Sequence, residues 1–164
     1  MAFITQDIIR RGGGTADLGP REAQWEAPGF GPLTRIATSF GEVHAQALRE
    51  RDMVRAQSGR LHEITEIDRL KLDAAFLEMV PEANPVVIRA GALGGGLPKA
   101  DVVVSAGQII GTGRHAAETR FCRAGDLVGR PGIIRRPEEI MTYTNLMCSG
   151  PLIVRVEGIW AKLA

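Results

Sequence analysis

The sequence has few cysteines, few aromatic residues and almost no net charge. Its two cysteines, Cys122 and Cys148, form no CxxC pair in 164 residues, so they predict neither a disulfide framework nor a thiol-based metal motif. Twenty basic residues face 19 acidic ones, a formal charge of +1, which provides no electrostatic basis for binding nucleic acid or an anionic membrane surface. A chain of this length can bury a stable core without a metal ion.

Long apolar runs are also missing. None reaches the roughly 20 residues that a membrane helix needs, so we expect no membrane insertion. The N-terminus lacks the basic-then-apolar order of a signal peptide, because Asp7 interrupts its short apolar start. We expect synthesis in the cytoplasm and leave the final location open, since incorporation into a virion-like particle or export without a cleaved signal would both fit.

Residues 1–28 are typical of an arm. They combine an apolar beginning, a run of three glycines at positions 12–14 that favours a hinge, and Trp25 as one large apolar anchor. Such an arm docks either on a neighbouring subunit or on its own domain, and the sequence leaves both open. We predict protein partners, as a homo-oligomer or a larger assembly formed through this arm.

From Pro32 onward, short apolar segments alternate with small polar or glycine-rich turns, which is typical of a β-sandwich or barrel-like fold. The predicted strands are 33–38, 42–48, 52–57, 61–72, 85–89, 101–105, 108–110, 140–148 and 152–156. Residues 61–72 fit both periodicities, and we interpret them as strand. Residues 73–79 predict one short helix, with Asp73 as its N-cap and Pro81 after its end.

Two sequence patterns suggest a ligand site, but neither has the residues that such a site requires. The glycine-rich loop 91–98 lacks the Lys-Ser/Thr of a phosphate-binding loop, and no long helix follows it, so we predict a tight structural turn. His44, His62 and His115 share no ligand-like spacing, so no zinc site is predicted.

Candidate catalytic groups are equally isolated. Cys148 lies late in an apolar strand, where a buried thiol is usually inert, and no base or orienting group can be assigned to it. Glu138 and Glu139 follow Pro137 and are typical of a solvated turn rather than a tuned acid–base pair.

Three segments form a more specific pattern. They are GFGPLTRIAT at 29–38 followed by Gly41, Val43, Leu48, Asp52 and Val54; VIRAGALGGGLP at 87–98 with Asp101 and a strand ending at Ser105; and Tyr143 with VEGIWA at 156–161. Together they resemble the Hint (hedgehog/intein) superfamily, and particularly its bacterial Hint-domain branch. The resemblance covers 28–164 and implies a compact, all-β, horseshoe-shaped disk at 29–164, with at most one or two short helices and the arm 1–28 outside it.

Active members of this superfamily rearrange their own backbone. A first-position cysteine attacks the preceding carbonyl, and a histidine in a Thr/Ser-x-x-His motif protonates the scissile amide. The resemblance places Gly29 at the cysteine position and Gln108, in Ser105-Ala106-Gly107-Gln108, at the histidine position. Glycine has no side chain, and glutamine can donate a hydrogen bond but cannot carry a proton near neutral pH.

Two later positions of the branch are changed as well. Its Tyr-x-His corresponds to Tyr143, Thr144 and Asn145, and its second histidine falls near Gly150 and Pro151. The resemblance therefore implies the fold without the self-cleaving site. Function depends on the site and not on the fold, so the two can be separated in evolution.

We accordingly predict no enzyme, with no catalytic, cofactor-binding or metal-binding residues. The expected role is a structural or interaction domain in a larger assembly, such as a phage or phage-like particle (tail, baseplate or head decoration) or a secreted surface complex. The alternative is a divergent self-cleaving protein that uses Cys148, Ser105 or Thr34 as its nucleophile. A third possibility is a ligand pocket in the vacated site.

Overall fold

The computed structural model describes residues 25–113 and 118–164. Residues 1–24, with most of the predicted arm and its glycine run, lie outside the described residues, as does His115. The described strands are β1 (Arg35–Thr38), β2 (Gly41–His44), β3 (Met53–Arg55), β4 (Leu61–Glu63), β5 (Glu66–Leu72), β6 (Val86–Ile88), β7 (Val102–Val104), β8 (Ile109–Gly111), β9 (Phe121–Arg123), β10 (Ile133–Arg135), β11 (Met141–Met147), β12 (Leu152–Val156) and β13 (Ile159–Leu163).

Helical structure is short. Within the described residues there is one α-helix, α1 (Ala74–Met79), and three 3-10 turns, at Ala45–Ala47, Pro81–Ala83 and Ala124–Leu127. The predicted N-cap is confirmed, because the carboxylate of Asp73 accepts a hydrogen bond from the Phe76 amide at 2.9 Å. No helix in the described part of the chain is long and apolar enough to span a membrane. The all-β prediction with one short helix is confirmed.

The strands form one large sheet and two small ones. The large sheet has the order β4-β3-β1-β12-β13-β8-β9, with β2 paired to β1; the small sheets are β10-β6-β7 and β11-β5. Phe30 connects the two small sheets, because it forms isolated bridges to Val104 of β7 and Thr144 of β11. Its amide and carbonyl exchange two 2.9 Å hydrogen bonds with Thr144. The chain that enters at residue 29 is therefore held between two strands.

Apolar faces of all three sheets share one core. Every residue of β6 is buried, and β13 exposes only Lys162 among its five residues. This core also includes Trp25, although it precedes the first strand by ten positions. Packing of the core thus extends into the described end of the predicted arm.

The predicted strand 42–48 is wrong beyond His44. Ala45–Ala47 form a 3-10 turn, and Arg69 Nη2 donates to three carbonyl oxygens of this turn and its C-cap at 2.8–3.4 Å. The strand therefore stops where a distant guanidinium, with its several donors, satisfies the backbone in place of a neighbouring strand. Local sequence carries no sign of a contact made 21 to 24 residues away.

Residues 61–72 are confirmed as extended, in β4 and β5. Strands β9, β10 and β13 were not predicted from residue patterns. β9 and β10 have only three residues each, too few to show a period, and β13 is buried at four of its five positions. Such strands are identified by the strands with which they pair, because their own residues show no alternation of apolar and polar positions.

Candidate functional site

The site begins at Gly29, which is buried between β7 and β11. A Cβ placed on Gly29 would lie 2.7 Å from Cβ of Tyr143, and the residue has φ +153°. Its N–H donates to Gln108 Oε1 at 3.1 Å, and its carbonyl accepts from the Ser105 amide at 2.9 Å. The backbone at the first position is bound on both sides, and the space for a side chain is filled.

Gln108 is buried, with 1 % of its surface exposed, and its amide group is fully hydrogen-bonded. Its Nε2 donates to the carbonyls of Ile109 at 3.0 Å and Lys162 at 2.9 Å, which leaves Oε1 to face Gly29. The Gln108 atom that faces the Pro28–Gly29 amide nitrogen is therefore an acceptor. Gln108 binds the amide that a histidine would protonate, and it has no proton to deliver.

Ser105 and Thr34, two of the alternative nucleophiles, make structural hydrogen bonds. Ser105 Oγ donates to the Ala27 carbonyl at 2.6 Å and accepts from Trp25 Nε1 at 2.9 Å. Thr34 Oγ1 donates to the Val103 carbonyl at 2.9 Å and accepts from the Val103 amide at 3.0 Å. Neither hydroxyl has a basic side chain as its hydrogen-bond acceptor, which an activated nucleophile requires.

Cys148, the third alternative, follows the last residue of β11. Its side chain is half-buried against the core. Burial raises the pKa of the Cys148 thiol, so the thiolate, which is the nucleophilic form, is disfavoured near neutral pH. The same direction and main cause apply to the pKa of Cys122. Neither cysteine has the environment of a reactive thiol.

Tyr143, the retained residue of the branch motif, has a packing role. Its side chain is 1 % exposed, and its hydroxyl donates to the Ala83 carbonyl at 2.7 Å. Burial raises the pKa of this phenol far above its ordinary value, so the hydroxyl stays protonated. Asn145 pairs with Asp68 in the β5–β11 ladder, while Gly150 lies in the turn before β12. The structure does not bring these two positions into hydrogen bonds with the Pro28–Gly29 peptide.

The glycine-rich loop 91–98 is a closed set of turns, as predicted. The Gly91 amide donates to the Pro98 carbonyl and the Leu93 amide to the Leu97 carbonyl, both at 2.9 Å. These N–H groups point into the loop and are not free to bind phosphate.

The remaining candidates are dispersed. Glu138 forms a surface ion pair with Arg136 at 2.7 Å, in agreement with a solvated turn. His44 lies in β2 and His62 in β4. Across residues 25–113 and 118–164, no group of three or more His, Cys, Asp or Glu side chains could hold a metal ion.

The segment 25–28, which we call the strap, was not predicted as part of the site. Trp25 is 2 % exposed and contacts the Phe76 ring edge-to-face with centroids 5.8 Å apart. Arg123 Nη2 donates to the Trp25 carbonyl at 2.5 Å. The described end of the arm therefore packs on its own domain. A lone tryptophan in a glycine-rich arm was the one sequence signal of this anchor.

The family model of the Hint domain matches residues 28–162. No curated protein sequence matches the chain significantly.

Solved structures of inteins have a similar fold. The gp41-1 intein matches with a TM-score of 0.53 at 10% identity, covering 82% of this chain and 98% of the intein. A DnaB intein from Synechocystis sp. PCC 6803 matches with a TM-score of 0.53 at 10% identity, covering 84% of this chain and 99% of the intein. At such low identity the likeness shows the fold alone, which confirms the horseshoe-shaped disk. With the Hint-domain model covering residues 28–162, the chain belongs to the Hint domain family and has the intein-like fold of that family.

Proposed function

We propose that this Hint domain does not cleave itself and serves as a structural or interaction domain. The observation that carries the proposal is the environment of the Pro28–Gly29 peptide. Gln108 Oε1 accepts its N–H at 3.1 Å, and Tyr143 Cβ lies where a nucleophilic side chain of residue 29 would begin. Hint domains as a class are autoprocessing elements, so a bound but unreactive peptide at this position is a specific departure.

The alternative is autoprocessing by a non-standard nucleophile. Ser105 Oγ is the strongest candidate by position, because it lies 2.6 Å from the carbonyl oxygen of Ala27. That contact is a hydrogen bond to oxygen and leaves the serine proton without a base to accept it. The geometry favours binding over cleavage.

A ligand pocket in the vacated positions is less well supported. Gly29, Ser105 and Gln108 are all buried, and Tyr143 and the strap occupy the space around them. A cleft of about 380 Å³ exists elsewhere, between the β3–β4 turn and the ends of β12 and β13. We therefore assign no ligand to the vacated site.

Intact mass spectrometry tests the absence of self-cleavage. The full chain is incubated for days with and without dithiothreitol between pH 6 and 8.5. We expect one species at full mass throughout. Two fragments that together make up the whole chain would overturn the proposal, whether they are residues 1–28 and 29–164 or, for attack on the Ala27 carbonyl, residues 1–27 and 28–164. A cleavage abolished only in Ser105→Ala, Thr34→Ala or Cys148→Ala would identify the alternative nucleophile.

We infer that residues 1–24 attach the domain to protein partners in a phage-like particle or a secreted surface complex. The strap supports this inference, because it fixes residue 25, to which residues 1–24 are joined, on the domain. The inference predicts that deleting residues 1–24, with the strap kept, weakens assembly in light scattering coupled to gel filtration. Unchanged oligomerisation of the truncated chain, compared with a deletion of residues 1–11, would refute it.

A further inference from the structure

The strap is held like a bound peptide. The backbone of residues 25–29 makes four hydrogen bonds with the rest of the domain. Three involve Ser105 and Gln108, and one involves Arg123. Arg123 binds the Trp25 carbonyl at 2.5 Å, and Ser105 Oγ binds the Ala27 carbonyl at 2.6 Å. The Ser105 amide and the Gln108 side chain bind the two polar groups of Gly29. Main-chain contacts of this kind provide affinity without depending on side-chain identity.

One side chain of the strap is recognised specifically. The indole of Trp25 is 2 % exposed, its ring packs edge-to-face on Phe76, and its N–H donates to Ser105 Oγ at 2.9 Å. A buried tryptophan with a satisfied N–H is the typical anchor of a recognition site. Glu26, next in the chain, is exposed and makes no comparable contact. Specificity is therefore concentrated at one position.

The floor of the groove requires glycine. A Cβ on Gly107 would lie 2.3 Å from the carbonyl carbon and oxygen of Glu26. Gly107 does not have the positive φ that would call for glycine on conformational grounds. It is needed because the strap backbone lies directly against it. Glycine at position 107 is therefore explained by the strap that packs against it.

The strap sequence suits the groove at its other end as well. Pro28 has no N–H that would need a partner, and it biases Ala27 toward extended backbone. Gly29 is required because a Cβ would meet Tyr143. The ligand is therefore described by the pattern Trp-x-x-Pro-Gly, in which each specified residue has a structural reason.

We propose that Ser105, Gly107 and Gln108, with Phe76 and Arg123 as walls, form a peptide-binding groove. It recognises an extended Trp-x-x-Pro-Gly segment, and residues 25–29 are its ligand within the same chain. The inference rests on the proposed function, since a groove that cleaved its ligand would release it. The positions that form the reaction site in active members of the family then hold residues 25–29 without cleaving them.

The first experiment frees the groove and offers it the ligand in trans. The full chain carrying Trp25→Ala has a weakened strap. A fluorescent peptide with the sequence of residues 22–28, EAQWEAP, and an amidated C-terminus is titrated against it and against the wild type. The peptide stops at Pro28 because Phe30 of the chain is buried between β7 and β11 and keeps its place. We expect at least tenfold tighter binding to the Trp25→Ala chain, because in the wild type the tethered strap competes at a high effective concentration.

Three controls make the result specific. The Glu26→Ala chain keeps its strap and should behave as wild type. The peptide with alanine in place of tryptophan should bind the Trp25→Ala chain at least tenfold more weakly. Adding Gly107→Ala to the Trp25→Ala chain should remove binding. Equal binding to the wild type and the Trp25→Ala chain, or equal binding of both peptides, would overturn the proposal.

A second measurement uses the wild-type chain, in case Trp25→Ala does not fold. Hydrogen exchange of residues 25–31 is followed with and without millimolar unlabelled peptide. Competition should speed exchange of the Gly29 amide several-fold and leave β12 and β13 unchanged. No change at the strap would contradict an exchangeable groove. Intact mass, recorded on each sample, separates this outcome from self-cleavage, which would instead produce an N-terminal fragment that ends at Ala27 or Pro28.

Discussion

Two regions of this domain differ in which requirement of covalent catalysis they contain. Around Gly29, a peptide bond is bound and oriented, but residue 29 has no side chain and Gln108 offers it an acceptor. At the end of β11, Cys148 offers a nucleophilic atom, but burial disfavours its thiolate. Covalent catalysis needs nucleophile, base and carbonyl together, and each region contains only one of these groups.

The difference shows which part of a site is kept by packing. Each hydrogen bond of Gly29 also satisfies a buried polar atom, and no buried side-chain nitrogen or oxygen in the described chain lacks a hydrogen-bond partner. Gln108 replaces a proton donor and joins Gly29 to β13 through Lys162. Binding geometry is therefore retained as part of the core, whereas reactivity depends on groups that the core does not need.

The largest expected effect comes from adding the missing thiol. Gly29→Cys places a Cβ 2.7 Å from Tyr143 Cβ at φ +153°, so we expect a loss of about 3 kcal/mol in unfolding free energy from overpacking and backbone strain. We also expect no cleavage, because no proton donor is added. Urea denaturation and intact mass measure the two outcomes.

Gly150→Ala is the matched control for Gly29→Cys. A Cβ on Gly150 meets nothing within 4 Å, so its stability should stay within about 0.5 kcal/mol of the wild type. A Gly29→Cys chain as stable as this control, or one that cleaves, would remove the contrast between the two regions.

A smaller effect is expected from removing the amide that holds the peptide. Gln108→Ala leaves the Gly29 N–H and the Lys162 carbonyl without their partner in a buried site, which should cost about 2 kcal/mol. Gln57→Ala, at a half-buried glutamine on the β3–β4 turn, should change unfolding by less than about 0.5 kcal/mol. Similar losses in both variants would show that Gln108 has no special role.

The smallest effect concerns the isolated thiol. Burial raises the pKa of Cys148, so alkylation should be slow near neutral pH and should increase only at higher pH than for the same cysteine in the urea-unfolded chain. The measurement uses Cys122→Ala to follow Cys148 alone, with Cys148→Ala as the converse. An alkylation midpoint below that of the unfolded chain would indicate an activated thiolate and favour the self-cleaving alternative.

Much of the architecture could be read from local patterns. The extended segments at β11 and β12, the helix after Asp73 and the turns of the glycine-rich loop all follow from periodicity, capping and glycine content. The exceptions depend on distant partners. Residues 45–47 leave the extended state because Arg69 satisfies their carbonyls, and no pattern within that segment signals it.

The site was predicted unevenly. The resemblance identified Gly29 and Gln108 by position, but it said nothing about the direction of the hydrogen bond between them. Residues 25–28 were assigned to the arm, while Trp25 and Ser105 are in direct contact across 80 positions of sequence. Contacts at such separation depend on the fold bringing them together, so composition and spacing do not reveal them.

By itself, the sequence determined the all-β class and the family, and it placed Gly29 and Gln108 where the resemblance implies a cysteine and a histidine, because these depend on residue identity and short-range pattern. Only the tertiary structure decided what surrounds these two positions. It placed Tyr143 in the space of the missing side chain, turned Gln108 Oε1 toward the amide, and laid the strap on Gly107. Those outcomes depend on close packing between segments far apart in the chain, where a few tenths of an ångström decide whether a side chain fits.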